Sequence, residues 1–124
     1  MSKLRLTNLN GVATNSVYEH AEELICLGQL TISPVKYEVR VHKQRINLSL
    51  TEFRILQVLA SRPGWVFSRS QIFAAAHGAH STGTERSVDA HVMRLRRKLL
   101  ACGKLLETVR SVGYRMAIPE ENLQ

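Results

Sequence analysis

The chain holds only two cysteines in 124 residues, Cys26 and Cys102, too few for the disulfide framework of a small secreted domain. One falls in a strand-like run and the other at a helix end among leucines, and both read as buried thiols in a reducing compartment. No run approaches the roughly 20 apolar residues of a membrane span, and the N-terminus lacks the apolar core of a signal peptide, so the chain reads as cytoplasmic with no membrane partner. A phosphate loop is missing too: Gly78 and Gly83 flank a polar stretch with neither the strand nor the lysine that such a loop requires. Of five histidines, His20, His42, His77, His80 and His91, only His77-x-x-His80 is a close pair, and no cysteine or carboxylate stands beside it to complete a zinc site. Ser49 and Ser68 stand where helices begin and read as caps rather than nucleophiles. Asp89 reads as the partner of an arginine, Arg115 being a candidate, rather than as a general base. These absences describe a protein that is no enzyme and needs neither cofactor nor metal.

What the chain does have is positive charge, unevenly placed. Its formal net charge is +7. Residues 1–24 contribute −1, residues 25–85 +4, residues 86–115 +6 and the remainder −2. A basic block of this kind calls for a polyanion, through attraction and release of its counterions. A membrane surface is the competing polyanion, but a membrane-lying helix needs a free apolar face.

Here that face is needed by the fold. Val88, Val92, Leu95 and Leu99 recur at i, i+4, i+7 and i+11, the stripe of a core-facing helix. Arg86, Ala90, Met93, Arg94 and Arg97 follow the same period on roughly the opposite side. A buried stripe backed by small residues and arginines suits a helix lying in the major groove of DNA, where arginine forks onto guanine edges or phosphates.

The rest of the pattern gives this helix a setting. Residues 1–23 are polar and turn-rich and read as a linker or tail, with a short helix over Val17–Leu24 as one option. Leu24–Leu27, Gln29–Ser33, Tyr37–Val41 and Arg45–Leu48 are strand-like runs separated by turn residues. Ser49-x-x-Glu52 and Ser68-x-x-Gln71 are capping boxes, each flanked by apolar residues at staple spacing, Leu48 with Phe53 and Phe67 with Ile72. The first opens a helix whose face is Phe53, Leu56, Leu59 and Ala60, ending at Arg62-Pro63-Gly64. Trp65-Val66-Phe67 is a short strand, and the second box opens a helix to about Ala76. A polar loop, His77–Thr84, precedes the basic helix, which is expected to run from Arg86 to Cys102 with Gly103 as its C′ residue. Strand, turn and strand follow over Leu105–Val109, Arg110–Gly113 and Tyr114–Met116, with a positive φ expected at Gly113. The fold class is α+β: a winged helix-turn-helix over residues 24–118, with an N-terminal four-stranded antiparallel sheet, three helices and a C-terminal β-hairpin wing. Residues 119–124 form a tail.

Four strings in this order resemble the OmpR/PhoB family of winged-helix effector domains, which stand at the C-terminus of bacterial response regulators. They are Leu48-Ser49-x-x-Glu52-Phe53-x-Ile55-Leu56, Val66-Phe67-Ser68-Arg69-x-Gln71-Ile72, Arg86-Ser87-Val88-Asp89-x-His91-Val92-x-Arg94-Leu95-Arg96-x-Lys98-Leu99 and Thr108-Val109-Arg110-x-Val112-Gly113-Tyr114-Arg115. The resemblance implies a transcription regulator of a two-component, phosphorelay system whose third helix reads the major groove and whose wing touches the minor groove. It points to Arg86, Ser87, His91, Arg94 and Arg97 on the helix, and to Thr108 and Arg110 at the wing; Ala90 and Met93 join them from the outer stripe. Met93 stands where many members carry a polar or basic reader, and its side chain suits a thymine methyl. The loop His77–Thr84, through which members can touch RNA polymerase, lacks the aromatic and acidic residues common there.

The resemblance further implies two copies side by side on direct repeats, whereas the absence of a heptad or a large apolar surface stripe predicts a monomer when free. A receiver domain needs about 120 residues with an acidic cluster, so the chain reads either as the effector half of a longer protein or as a one-domain member. The alternative function is a winged helix used for protein interaction or RNA binding. Alanine and serine beside the arginines let a backbone sink into a groove, where a protein interface would expose Tyr, Trp or Leu. One tryptophan, three tyrosines and three phenylalanines, mostly at core-like positions, are few for stacking single-stranded RNA.

Overall fold

The computed structural model describes residues 23–77 and 84–123. Of the expected N-terminal linker only Glu23 falls within them, and residues 78–83 of the polar loop lie outside them.

Strict alternation builds the first layer. Strands β1 (Ile25–Leu27), β2 (Leu30–Ser33), β3 (Glu38–Val41) and β4 (Gln44–Ile46) form an antiparallel sheet in sequence order. Ile25 pairs with Ile32, Leu27 with Leu30, Leu30 with Val41, Ile32 with Val39 and Val39 with Ile46. One face is therefore wholly aliphatic and lies on the core. The other face carries Cys26, Thr31, Arg40 and Arg45, with Glu38 paired to both arginines at 3.5 and 3.4 Å. Cys26 is therefore exposed, not buried as expected, because a residue between Ile25 and Leu27 must point outward; Cys102 is buried. The β3–β4 hairpin turns on His42 and Lys43, with φ of 50° and 70°. Two successive left-handed residues fit the twist of a tight hairpin even without glycine.

Both capping boxes form. Ser49 Oγ accepts from Glu52 N at 3.1 Å while Glu52 Oε1 accepts from Ser49 N at 2.9 Å, opening helix α1 (Leu50–Ser61). Ser68 and Gln71 exchange the same pair of bonds at 3.2 and 2.9 Å at the start of α2 (Arg69–His77). Helix α3 (Arg86–Lys98) buries Val88, Val92 and Leu95, with Leu99 completing the stripe just beyond it. These side chains join Leu56, Leu59, Ile72, Leu106 and Met116 in one core reached from both sheets.

Helix α3 stops at Lys98, short of the expected Cys102. Leu100 takes the left-handed turn at φ 55°, and a 3-10 segment, Leu100–Leu105, carries the chain back beneath the helix. Gly103 is not a left-handed cap. A Cβ there would lie 2.2 Å from the Arg96 carbonyl oxygen, so this glycine permits the return to pass against α3.

The second sheet has three strands in the order β5 (Phe67–Ser68), β7 (Gly113–Met116), β6 (Leu106–Val109), so the wing hairpin is extended by the strand between α1 and α2. Its turn is closed by Val112 N donating to Val109 O at 2.9 Å, and the left-handed residue is Ser111, at φ 68°, not Gly113 as expected. Gly113 faces Ser68 across the β5–β7 pair, where a Cβ would stand 1.9 Å from Phe67 O. The assigned C-terminal tail folds back: Asn122 Oδ1 accepts from Gly28 N, and its Nδ2 donates to Cys26 O, both at 2.8 Å.

Gly113→Ala should therefore cost about 1–3 kcal/mol by forcing β5 from β7. Ser111→Gly, which relieves a left-handed serine but loosens the unfolded chain, should change stability by less than about 1 kcal/mol. Urea denaturation of the two variants decides it: a harmless Gly113→Ala would show that close packing is not what the glycine provides.

Candidate nucleic-acid interface

The two stripes of α3 separate as their spacing requires. Arg86, Ala90, Met93, Arg94 and Arg97 are exposed on the side away from the core, with Ser87 and His91 half-buried at its edges. Met93 is 61% exposed, a large apolar surface held out among arginines. Ser87 Oγ donates to the Thr84 carbonyl at 2.7 Å and fixes the entry to the helix. The Arg94 guanidinium lies between His91 and α1: its Nη2 is 3.0 Å from His91 Nδ1 and its Nε 3.8 Å from Glu52 Oε2. All seven expected α3 residues thus lie on one continuous surface or its margins.

The two expected wing residues reach this surface differently. Thr108 is tied to α3, since Arg96 donates from Nη2 to Thr108 Oγ1 at 2.8 Å and from Nε to Leu106 O at 2.9 Å. Arg110 stands exposed at the hairpin loop beside left-handed Ser111.

Asp89, together with Arg69, Arg96 and Tyr114, which have no role assigned from the sequence, aligns these parts. Asp89 Oδ1 accepts from Arg69 Nε at 2.8 Å and from the Tyr114 hydroxyl. The Tyr114 ring lies between two guanidiniums, Arg69 at 5.6 Å and Arg96 at 5.7 Å from its centroid. Asp89 thus pairs with an arginine, Arg69 on α2; the candidate Arg115 instead pairs across the hairpin with Glu107 at 2.8 Å, because alternation turns it away from α3 while Tyr114 faces inward. A signal was available: Asp89 and Arg96, seven apart, share a helix flank between the two stripes, and that flank faces the wing.

Two acids on the flanks of α3, Asp89 and Glu52 of α1, are each held by hydrogen-bonding and cationic partners. The Tyr114 hydroxyl holds the Asp89 carboxyl below its usual range against the opposing effect of partial burial, and Arg69 adds to this. Tyr114 itself is pushed up by burial and by its bond to Asp89. Burial raises Glu52, but hydrogen bonds from Lys98 and the Ser49 backbone outweigh it, so this carboxyl too stays low. Lys98 Nζ lies 2.7 Å from Glu52 Oε1 and bridges α3 to α1. Neither carboxylate offers a free negative charge toward the arginine face.

Comparison with known proteins agrees with this arrangement. The family model described as transcriptional regulatory protein, C terminal, matches residues 43–116. The heme response regulator HssR of Staphylococcus aureus is 38% identical over 92 residues, 73% of this chain and 41% of that protein. The chain thus spans about two-fifths of the length of the curated relatives it matches. Among solved structures, the Klebsiella pneumoniae RstA DNA-binding domain in complex with the RstA box is similar at TM-score 0.68 and 34% identity, over 77% of this chain and 98% of that one. The DNA-binding domain of response regulator AdeR, in complex with an intercistronic region, is similar at TM-score 0.67 and 35% identity, over 76% and 99%. The E. coli CpxR DNA-binding domain is similar at TM-score 0.68 and 30% identity, over 78% and 98%.

The anchor between wing and helix can be probed without any ligand. Tyr114→Phe should raise the Asp89 titration toward the ordinary carboxylate range, as followed by carboxyl NMR, and lower stability by about 1 kcal/mol, the low end for a partly exposed charged acceptor. Because the folded Asp89 is depressed, its contribution is complete above about pH 4 and lost as pH falls through the folded value. The variant should therefore lose less stability in acid than the parent. An unmoved Asp89 titration would show that the hydroxyl does not hold it.

Proposed function

The chain belongs to the family of transcriptional regulatory protein C-terminal domains, the OmpR/PhoB-type effectors, and from that membership we propose that it binds duplex DNA sequence-specifically to regulate transcription. The observation that carries this is the outer face of α3: basic, free of uncompensated acid, and held at a fixed angle to a hairpin ending in an exposed arginine. Such a helix enters the major groove with side chains, not backbone, leading. Arg94 and Arg97 stand one turn apart, Arg94 toward α1 and Arg97 toward the helix end. Arg94 forks onto a base edge, and Arg97 and Arg86 take phosphates. Ala90 lets the helix approach closely, and Met93 packs on a thymine methyl. Ser87, His91 and Thr108 complete the polar margin, and Arg110 enters the adjoining minor groove, where narrow A·T-rich stretches draw guanidinium most strongly.

The domain acts without catalysis, and its regulatory partner on this reading is a receiver domain bearing the phosphoacceptor. No role toward RNA polymerase is assigned to residues 78–83. Two copies bind in tandem. Each is a monomer when free, and footprints should show same-orientation half-sites about 10–11 base pairs apart. A stable solution dimer on a palindrome would overturn that arrangement.

Arg94→Ala should cost about 1–3 kcal/mol on a selected site and much less on random duplex. Arg97→Ala should weaken both alike and flatten the salt dependence by about one unit. Arg110→Ala should lose most on sites flanked by A·T-rich sequence. Gel-shift titrations at several salt concentrations check all three, and equal losses for Arg94→Ala on both duplexes would remove Arg94 from base readout.

A further inference from the structure

His91 makes a contact that fixes the tautomer of its neutral ring. Its Nδ1 lies 3.0 Å from Arg94 Nη2. Arginine has no acceptor and stays charged, so the guanidinium donates, Nδ1 accepts, and the neutral ring carries its proton on Nε2. On its other side the guanidinium faces Glu52 Oε2 at 3.8 Å, and that carboxylate is itself pinned by Ser49 N at 2.9 Å and Lys98 Nζ at 2.7 Å. Arg94 is thus held from α3 and from α1 before any DNA arrives. A long side chain held in one pose has less rotamer freedom to lose on binding.

We propose that neutral His91 is the positioning residue for Arg94, and that protonation of its Nδ1 releases the guanidinium, so that site discrimination is lost in acid while general DNA affinity is kept. This rests on the reading of Arg94 as a base contact. Among the described residues, the charged and titratable groups facing His91 are Arg94 on its own helix, His77 on α2 and Glu52 on α1. Burial first, then the charges of Arg94 and His77, keep His91 protonation below the ordinary range, against the pull of Glu52. The acceptor is therefore present at neutral pH and disappears only as pH falls below about 6.5. Once protonated, Nδ1 presents an N–H and a positive charge to a guanidinium that can only donate. The added charge favours phosphate contact, so affinity for random duplex holds or rises. The His77 ring stands 6.0 Å from that of His91, and its buried Nε2 has no hydrogen-bond partner among the described residues. It is the neighbouring imidazole from which the experiment must distinguish His91.

The test uses a duplex selected against the chain from a random library at about pH 8, with a random duplex of equal length as reference. The ratio of the two affinities is measured at constant ionic strength down to about pH 5. The parent ratio should fall by about tenfold toward that of Arg94→Ala, while random-duplex affinity does not weaken. His91→Asn keeps an acceptor but does not titrate, so its ratio, whatever its level at about pH 8, should stay flat as pH falls. His91→Leu should be low and flat. A parent ratio unchanged in acid overturns the proposal and leaves Arg94 as a base reader. A His91→Asn ratio that falls as the parent's does overturns it and places the response on another group. If Arg94→Ala leaves the ratio unchanged at about pH 8, base readout by Arg94 fails, and the positioning role with it. Ring nitrogen shifts showing the proton of neutral His91 on Nδ1 would also overturn it.

Discussion

A helix that must keep one face bare for a polyanion can be held only by its opposite stripe and its flanks. Thirteen residues of α3 carry three arginines on their outer side, and a helix of this length is marginal alone in water. Val88, Val92, Leu95 and Leu99 supply attachment, but aliphatic packing is non-directional and does not by itself set rotation about the axis. Rotation is set by the flank. Asp89 meets Tyr114 and Arg69 at one end, and Arg96 grips Leu106 and Thr108 further along. With that flank fixed against the hairpin, the bare face has a defined direction, and the wing arginine a defined distance from it.

Glu52 plays the corresponding part on the other side. It is 2% exposed, an unfavourable place for a carboxylate unless every lone pair is used. Here one residue closes the capping box of α1, accepts from Lys98 and faces Arg94. The same negative charge therefore begins one helix and orients another 46 positions away. Removing Lys98 would take away the carboxylate's shortest contact and leave it to Ser49 N and the more distant Arg94. The capping box, a local motif, is thereby tied to the tertiary arrangement.

Much of this was legible in the residue order because the relevant physics is local. Alternation at Ile25, Leu27, Leu30, Ile32, Val39 and Val41, the two capping boxes and the two-stripe helix each depend on neighbours a few positions apart. The errors arose where the deciding neighbour is distant. Gly103 and Gly113 read locally as left-handed residues, but each is small because another backbone passes close by, Arg96 in one case and Phe67 in the other. The left-handed positions fell instead on Leu100 and Ser111, which carry no such signal. Charge alone makes Arg115 a candidate partner for Asp89, but strand parity turns Arg115 outward and Tyr114 in, and the arginine that meets Asp89 is Arg69. The same parity rule would have placed Cys26 in solvent. The expected α3 surface residues do lie together; the clasp of Arg69, Arg96 and Tyr114 emerges only when helix and hairpin are assembled.

Asn122 has a bearing on how the molecule comes apart. Strand β1 is an edge of the four-stranded sheet, and an edge strand would ordinarily open ahead of global unfolding. Yet the side chain of Asn122 grips the β1–β2 corner through Cys26 O and Gly28 N, spanning 96 and 94 positions, with Pro119 and Glu121 packed against Gly28. The first and last parts of the described chain are thereby joined in one cooperative unit. Amide protons of the opening hairpin should exchange with those of the closing turn, at the pace of the molecule rather than of a loose edge.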